Sequence, residues 1–423
     1  MRRPRPRPRT LAILGVCLAL LAALAVGLNA YRWKGSVTVL ANWTGPDEKQ
    51  FRAKVIDPFE KKYRIHVIYQ GSSAESQVLA ADVETGTPLD VAILPGPGEL
   101  AGYASRGQLK SLDDLVGAKD FSSTWMPKVA GPGPNRTPHT YWVPVKAGLK
   151  SMVWHPATLS SDQLKAVAAT PSAWCLGMAS GATSGWPGTD WVEDILLQQA
   201  GWKVYSQWAT GNLSWSDQRV RRAWTTWGAL VGAGTPRISG ALTTEFDKAS
   251  AGVAKHPATC RLEHQASFVR SAWQEMRGTY SPSAEIIPNA GQNARSWEIS
   301  GDLAAMLRDT SQARRLIRYL ASPAVQRSWN TEESGFSANK AVLRDAHSGD
   351  QTAGSIASTL SDRTAKLCWD ASDAMPSAMR EAFSQAALSF LATGGDPKEQ
   401  LTALEAVRSK QPKTGLTSVC GRG

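Results

Sequence analysis

Between residues 35 and 96 the apolar positions switch back and forth between a period of two and a period near 3.6. That alternation restricts the fold more than any other feature of the chain. Residues 36–40 (Ser-Val-Thr-Val-Leu) read as a strand. Thr44, followed by Pro46, Asp47 and Glu48, reads as a capping box with a first-turn proline. The predicted helix over 48–63 carries Phe51, Val55 and Phe59 at helical spacing. Residues 65–69 read as a second strand, 75–85 as a helix, and 90–94 as a buried strand ending at Pro95-Gly96. Strands and helices in this order imply an α/β unit with a mostly parallel sheet, where ligands bind outside the carboxyl ends of the strands. Asn42-Trp43-Thr44 and Leu94-Pro95-Gly96 are two such ends.

The 423 residues suffice for two domains. Residues 131–138 form a Gly/Pro-rich exposed loop, and the extended stretch 141–154 is long enough to pass from one domain to another. Helical, Trp-rich sequence follows to about residue 231. Residues 296–307 read as extended; helices are expected over 311–320, 377–391 and 397–407, with a turn at Ser322-Pro323.

Residues 183–197 form a small-residue loop delivering Trp186, Asp190 and Trp191 at the mouth of a helix. Pro187 suits its first turn, and Thr189 or Asp190 could cap it. An apolar ring beside a strong acceptor suits a sugar, which offers a C–H face to stack and hydroxyls to donate. Packing of both tryptophans into a core is the alternative. Tryptophan is in excess: 17 copies against 8 Phe and 8 Tyr.

The net charge of +11 is concentrated at the start. Residues 1–34 hold seven basic groups and no acid, leaving 40 basic against 36 acidic groups in the rest. No basic block with interleaved aromatics appears there, so nucleic acid is not expected as a partner. The Arg/Pro-rich residues 2–9 precede an apolar run over 11–28, long enough for a signal peptide or an uncleaved membrane anchor; everything beyond is then expected outside the membrane. Val16 is too bulky for lipid processing at Cys17. Cys175, Cys260, Cys368 and Cys420 then lie in an oxidising compartment and imply disulfides, with three connectivities open.

Several segments in order resemble the bacterial ABC-transporter solute-binding proteins of the carbohydrate class, most closely the α-glucoside-binding group. They are residues 39–51 with Trp43-Thr44-Gly45, residues 60–67, 87–92 and 143–146, then 174–197, 261–268 with His264-Gln265-Ala266-Ser267-Phe268, 301–304 and 370–376. The usual lipobox is missing, and residues 286–296 differ from the family's aromatic/proline-rich segment. The resemblance implies an α/β, two-lobe periplasmic-binding-protein-like fold with hinge crossovers and an interlobe cleft. Residues 1–34 are then the signal or anchor segment, and the resemblance implies lobe one over 35–146 with 303–342 and lobe two over 147–302 with 343–418. It pairs Cys175 with Cys260 and leaves Cys368 with Cys420.

The ligand-binding candidates are Trp43, Thr44, Lys146, Trp186, Asp190, Gln265, Asp302 and Asp373, with Asp370 at the rim. Capping, core packing or hinge salt bridges are their structural alternatives. Trp191 and His264 are expected in the core. No catalytic residue, metal or cofactor is expected: no HExxH, GxSxG, GxGxxG or P-loop occurs. The pairs Asp113-Asp114, Glu193-Asp194 and Glu332-Glu333 read as solvated faces. The expected partners are a carbohydrate and the permease subunits of an ABC importer, with the chain a monomer. A membrane-tethered sugar sensor and, further off, a carbohydrate-active enzyme are the rival functions.

Overall fold

Strand β1 (Ser36–Ala41) lies at the centre of the first α/β unit, parallel to β2 (His66–Gly71) on one side and to β3 (Val91–Leu94) on the other. This computed structural model describes residues 33–422, apart from 118, 134, 292–294, 331–334, 344–349 and 412–414. The expectations for residues 1–32 and for Glu332-Glu333 lie outside the described residues. Among those described, no helix is long and apolar enough to cross a membrane.

The helix that returns the chain from β1 to β2 is continuous but not uniform. It runs Gly45–Phe51, passes through a π turn at Arg52–Ile56 and resumes as Asp57–Tyr63. Pro58 has no N–H for the carbonyl four residues back, so the ladder widens where that bond is missing. Thr44 is the N-cap residue, yet its side chain makes no capping bond, so the expected capping box does not form; Pro46 does sit in the first turn.

A short hairpin, β4 (Val129–Ala130) with β5 (Pro138–His139), precedes two long crossing strands. One is β6 (Trp142–Leu149); the other is β10 (Ser296–Met306), and the two pair antiparallel from Ile299↔Leu149 to Ala305↔Trp142. Strand β10 belongs to both halves of the molecule. Its end, Leu303–Met306, pairs with β3, while its start, Ser296–Ile299, pairs parallel with β11 (Lys366–Trp369). The sheet order is therefore β12-β11-β10-β3-β1-β2, with β12 (Cys420–Arg422) at the edge. The register slips between Asp302 and Leu303, at the midpoint of this shared strand. A bulge there bends the strand and re-aims its side chains.

The second half adds a three-stranded sheet: β7 (Met152–Pro156) between β8 (Glu263–His264) and β9 (Gly278–Pro282). The Trp186–Ala200 helix meets it at His264, and the Gln218–Val231 and Ser377–Thr393 helices pack on that helix. Trp208, Trp215, Trp224, Trp227 and Phe383 form one buried aromatic cluster between them, which accounts for much of the tryptophan excess. Cys175 bonds to Cys260 and Cys368 to Cys420, both within this half. A helix at Pro323–Asn330 follows the expected turn at Ser322-Pro323.

Candidate functional site

The carboxyl end of β1 delivers Asn42, Trp43 and Thr44 to the middle of the hinge strands. Asn42 Nδ2 donates to Asp302 Oδ1 at 3.1 Å, and the Trp43 side chain donates to the same carboxylate. Lys146 is the cross-strand neighbour of Asp302 and favours its charged form. Burial outweighs these three, so the Asp302 carboxyl sits above its ordinary value. Trp43 is only 4% exposed, its ring packed against Phe51 at 4.7 Å and Trp329 at 5.1 Å. It holds Asp302 from within a core. Thr44 is exposed, and Lys146 half-buried.

Four residues beyond Lys146, Lys150 enters the other half. Its ammonium lies 2.8 Å from Asp190 Oδ1 and in direct contact with Asp370 Oδ2. Asp190, Glu193 and Asp370 offer carboxylate oxygens within 4.8 Å of one another, and the cation they surround is Lys150. One ammonium cannot balance so many buried charges. Its two contacts therefore divide: Asp370 is held well below the ordinary carboxylate value, although burial works against this, while Asp190 is pushed by burial up to about 7. Burial also pushes Asp373 up to about 8, and Glu193 and Glu298 well above their ordinary values. Lys150 itself stays charged, because Asp190 and Asp370 outweigh its burial. The Tyr205 hydroxyl donates to Glu298 Oε1 at 2.7 Å and lies 2.9 Å from the Trp369 carbonyl.

Glu193 and Asp194 are thus fully buried, contrary to the solvated face expected of them. The Trp186–Ala200 helix is enclosed on nearly all sides. Asp194 accepts from His264 Nε2 at 2.7 Å, and His264 stacks on Trp191 at 4.4 Å, so both rings are core as expected. Neither Thr189 nor Asp190 caps this helix. The cap is Gly185 at φ 101°, and Pro187 lies in the first turn. A Cβ on Gly185 would approach the Ser384 carbonyl to 2.4 Å, so only glycine allows this start.

Trp186 is half-buried beside this network, with part of its ring open. Its ring lies 5.1 Å from Phe246, 6.2 Å from Phe268 and 6.0 Å from the Lys150 ammonium. Gln265 is turned to local use: Oε1 accepts from the Ala266 N–H, and its carbonyl accepts from the Trp154 indole. Asp373 gives its own N–H to Asp370 and lies 3.9 Å from Arg380. The structure therefore gathers Trp43, Lys146 and Asp302 on one side, and Trp186, Asp190, Asp370 and Asp373 on the other. Sequence reasoning missed Lys150, Phe246, Glu298 and Arg380. Nothing local marks Lys150, whose partner Asp370 is 220 residues away.

The family model for bacterial extracellular solute-binding proteins matches residues 42–327. The chain belongs to that family. It is 29% identical over 347 residues to the alpha-glucosides-binding periplasmic protein AglE of Rhizobium meliloti (strain 1021), covering 74% of each chain. It is also 29% identical over 321 residues to the osmoprotective compounds-binding protein GgtB of Synechocystis sp. (strain ATCC 27184 / PCC 6803 / Kazusa), covering 70% of this chain and 74% of that one. Among solved structures, the bacterial solute receptor AcbH superposes with a TM-score of 0.70 at 14% identity, covering 89% of this solute-binding protein and 98% of the receptor. The maltose-maltodextrin binding protein of Alicyclobacillus acidocaldarius superposes at 0.64, also at 14% identity, over 89% and 100%. The fold is the two-lobe α/β fold of these proteins.

Proposed function

We propose that this solute-binding protein captures a sugar between its two halves, at the hinge strands β6 and β10, and hands it to an ABC importer. The lobes on this view are 35–146 with 303–342, and 147–302 with 343–418. One observation carries the reading: each side of the hinge holds an acceptor oxygen that no group among the described residues satisfies. Asp190 Oδ2, beside the half-buried Trp186, and Asn42 Oδ1 are buried without a hydrogen-bond partner among the described residues. Unpaired buried acceptors are costly, and hydroxyl donors would satisfy them. Stacking of a sugar face on Trp186 completes the match. The names of the two relatives point the same way, toward an α-glucoside or a small osmoprotective solute.

No hydrolysis is expected. A glycosidase needs two carboxyls facing across the bond, and here Asp190 and Asp370 are both committed to Lys150. A thermal-shift panel of mono-, di- and oligosaccharides tests the reading, because a ligand that binds only the folded state raises the melting temperature. At least one sugar is expected to raise it. A flat response across the panel would remove the carbohydrate assignment.

A further inference from the structure

A second polar cluster joins the two halves away from the Lys150 network. The Glu75–Glu84 and Pro97–Ser105 helices follow β2 and β3 of the first half, whereas the Ser377–Thr393 helix packs on Trp186–Ala200 of the second. Arg380, on that last helix, donates to Ser76 Oγ at 2.7 Å and to Glu99 Oε2 at 3.1 Å. Ser76 donates to the same Glu99 oxygen at 2.7 Å, and Asp373 Oδ1 lies 3.9 Å from the Arg380 guanidinium. Beside them, Gln77 Nε2 donates to Glu381 at 3.0 Å. The Glu99 side chain is 6% exposed and that of Arg380 16%, so this pair is largely out of water. Breaking such a pair leaves an uncompensated buried charge.

Backbones also meet here. A Cβ on Gly98 would stand 2.2 Å from the Ala374 carbonyl oxygen, and one on Gly96 2.6 Å from that of Asp373. Only glycine lets the turn after β3 seat this closely, and nothing the width of a sugar passes between. The contact is close to the candidate site. Asp370, which holds Lys150, and Asp373, beside Arg380, are one helical turn apart, a rise of about 5 Å.

We propose that this contact is an end wall of the interlobe cleft, latched by Arg380, and that it restricts the ligand to a mono- or disaccharide held beside Trp186. A sugar chain running on past Arg380 is excluded. The restriction on length rests on the sugar-capture reading; the wall itself does not.

Two measurements on the full chain separate these claims. In hydrogen exchange without any sugar, the segments around Ser76, Gly98 and Ala374 are expected to be protected. Arg380→Ala should speed their exchange by about tenfold or more on both sides of the contact, and the milder Glu99→Gln should shift it the same way. Unchanged exchange in both variants overturns the wall. In calorimetry, maltose, trehalose or sucrose is expected to bind at least about tenfold more tightly than maltotetraose or maltohexaose, with Arg380→Ala narrowing that ratio. Affinity that holds or rises with chain length overturns the restriction. Absence of binding by every sugar overturns the sugar-capture reading and the restriction together, and leaves the exchange result to decide the wall.

Discussion

Both sides of the hinge set a lysine near a buried aspartate, and they do so by opposite means. On the β1 side, Lys146 faces Asp302 across two strands, and the carboxylate is held by neutral donors, the Asn42 amide and the Trp43 indole. On the β11 side, Lys150 is clasped between Asp190 and Asp370 within a network that includes Glu193 and Glu298. That half also carries both disulfides and the half-buried Trp186. The difference teaches which side is a fixed platform. Charges bound to one another through buried contacts cannot rearrange cheaply, whereas neutral donors around one carboxylate can exchange partners with a ligand hydroxyl at small net cost.

The comparison breaks most sharply at Lys150. Lys150→Met leaves Asp190 and Asp370 buried without their cation, and we expect a loss of about 3–5 kcal/mol in denaturant unfolding at neutral pH. Lys146→Met, on the half-buried side, should cost much less. If the two losses are equal, the contrast between platform and adjustable face is wrong. Next in size is the covalent reinforcement. Cys175→Ser with Cys260→Ser should lower stability by about 2–4 kcal/mol, with faster hydrogen exchange concentrated in the β11 half. A loss spread evenly over both halves would count against separate bodies.

The β1 half has its own buried carboxyl, whose burial outweighs a backbone hydrogen bond and the Arg380 charge. Burial pushes Glu75 up to about 7 from an ordinary 4.5. The folded state therefore holds this proton more tightly than the unfolded chain does. Its contribution to stability is complete below about pH 4.5 and is lost as pH rises through about 7. Glu75→Gln should accordingly be more stable than wild type at pH 8, by about 1–3 kcal/mol, with the gain gone by pH 4.5. A gain that does not depend on pH would assign the effect to packing. Smallest in free energy is Trp186→Ala. It should weaken sugar binding about tenfold, near 1.4 kcal/mol, with little change in melting temperature.

The first α/β unit was legible because its signal is local: apolar period, a first-turn proline at Pro46 and the break at Pro95-Gly96 lie within single segments. The ordered likeness of segments extended that to both lobes and to the cysteine pairs. Of the proposed site, sequence could nominate only residues beside a recognisable start, as Trp186 and Asp190 are. The helix cap was misplaced because Gly185 acts through its backbone angle and a close approach to Ser384, which leave no mark in spacing. Glu193-Asp194 misled for a related reason. Adjacent acids look solvated unless their distant partners, His264 and the Ala371 N–H, are known. Trp43 reads from sequence as a ligand-contact candidate at a strand end; the partners that enclose its ring include Trp329, nearly three hundred residues on.

The proposed site holds a sugar against the Lys150-anchored platform. Titration calorimetry of wild type and Trp186→Ala, using the sugar that gives the largest thermal shift, tests this most directly. We predict saturable binding by wild type and about tenfold weaker binding by a variant that melts at nearly the same temperature. Equal affinity in the two proteins would contradict it.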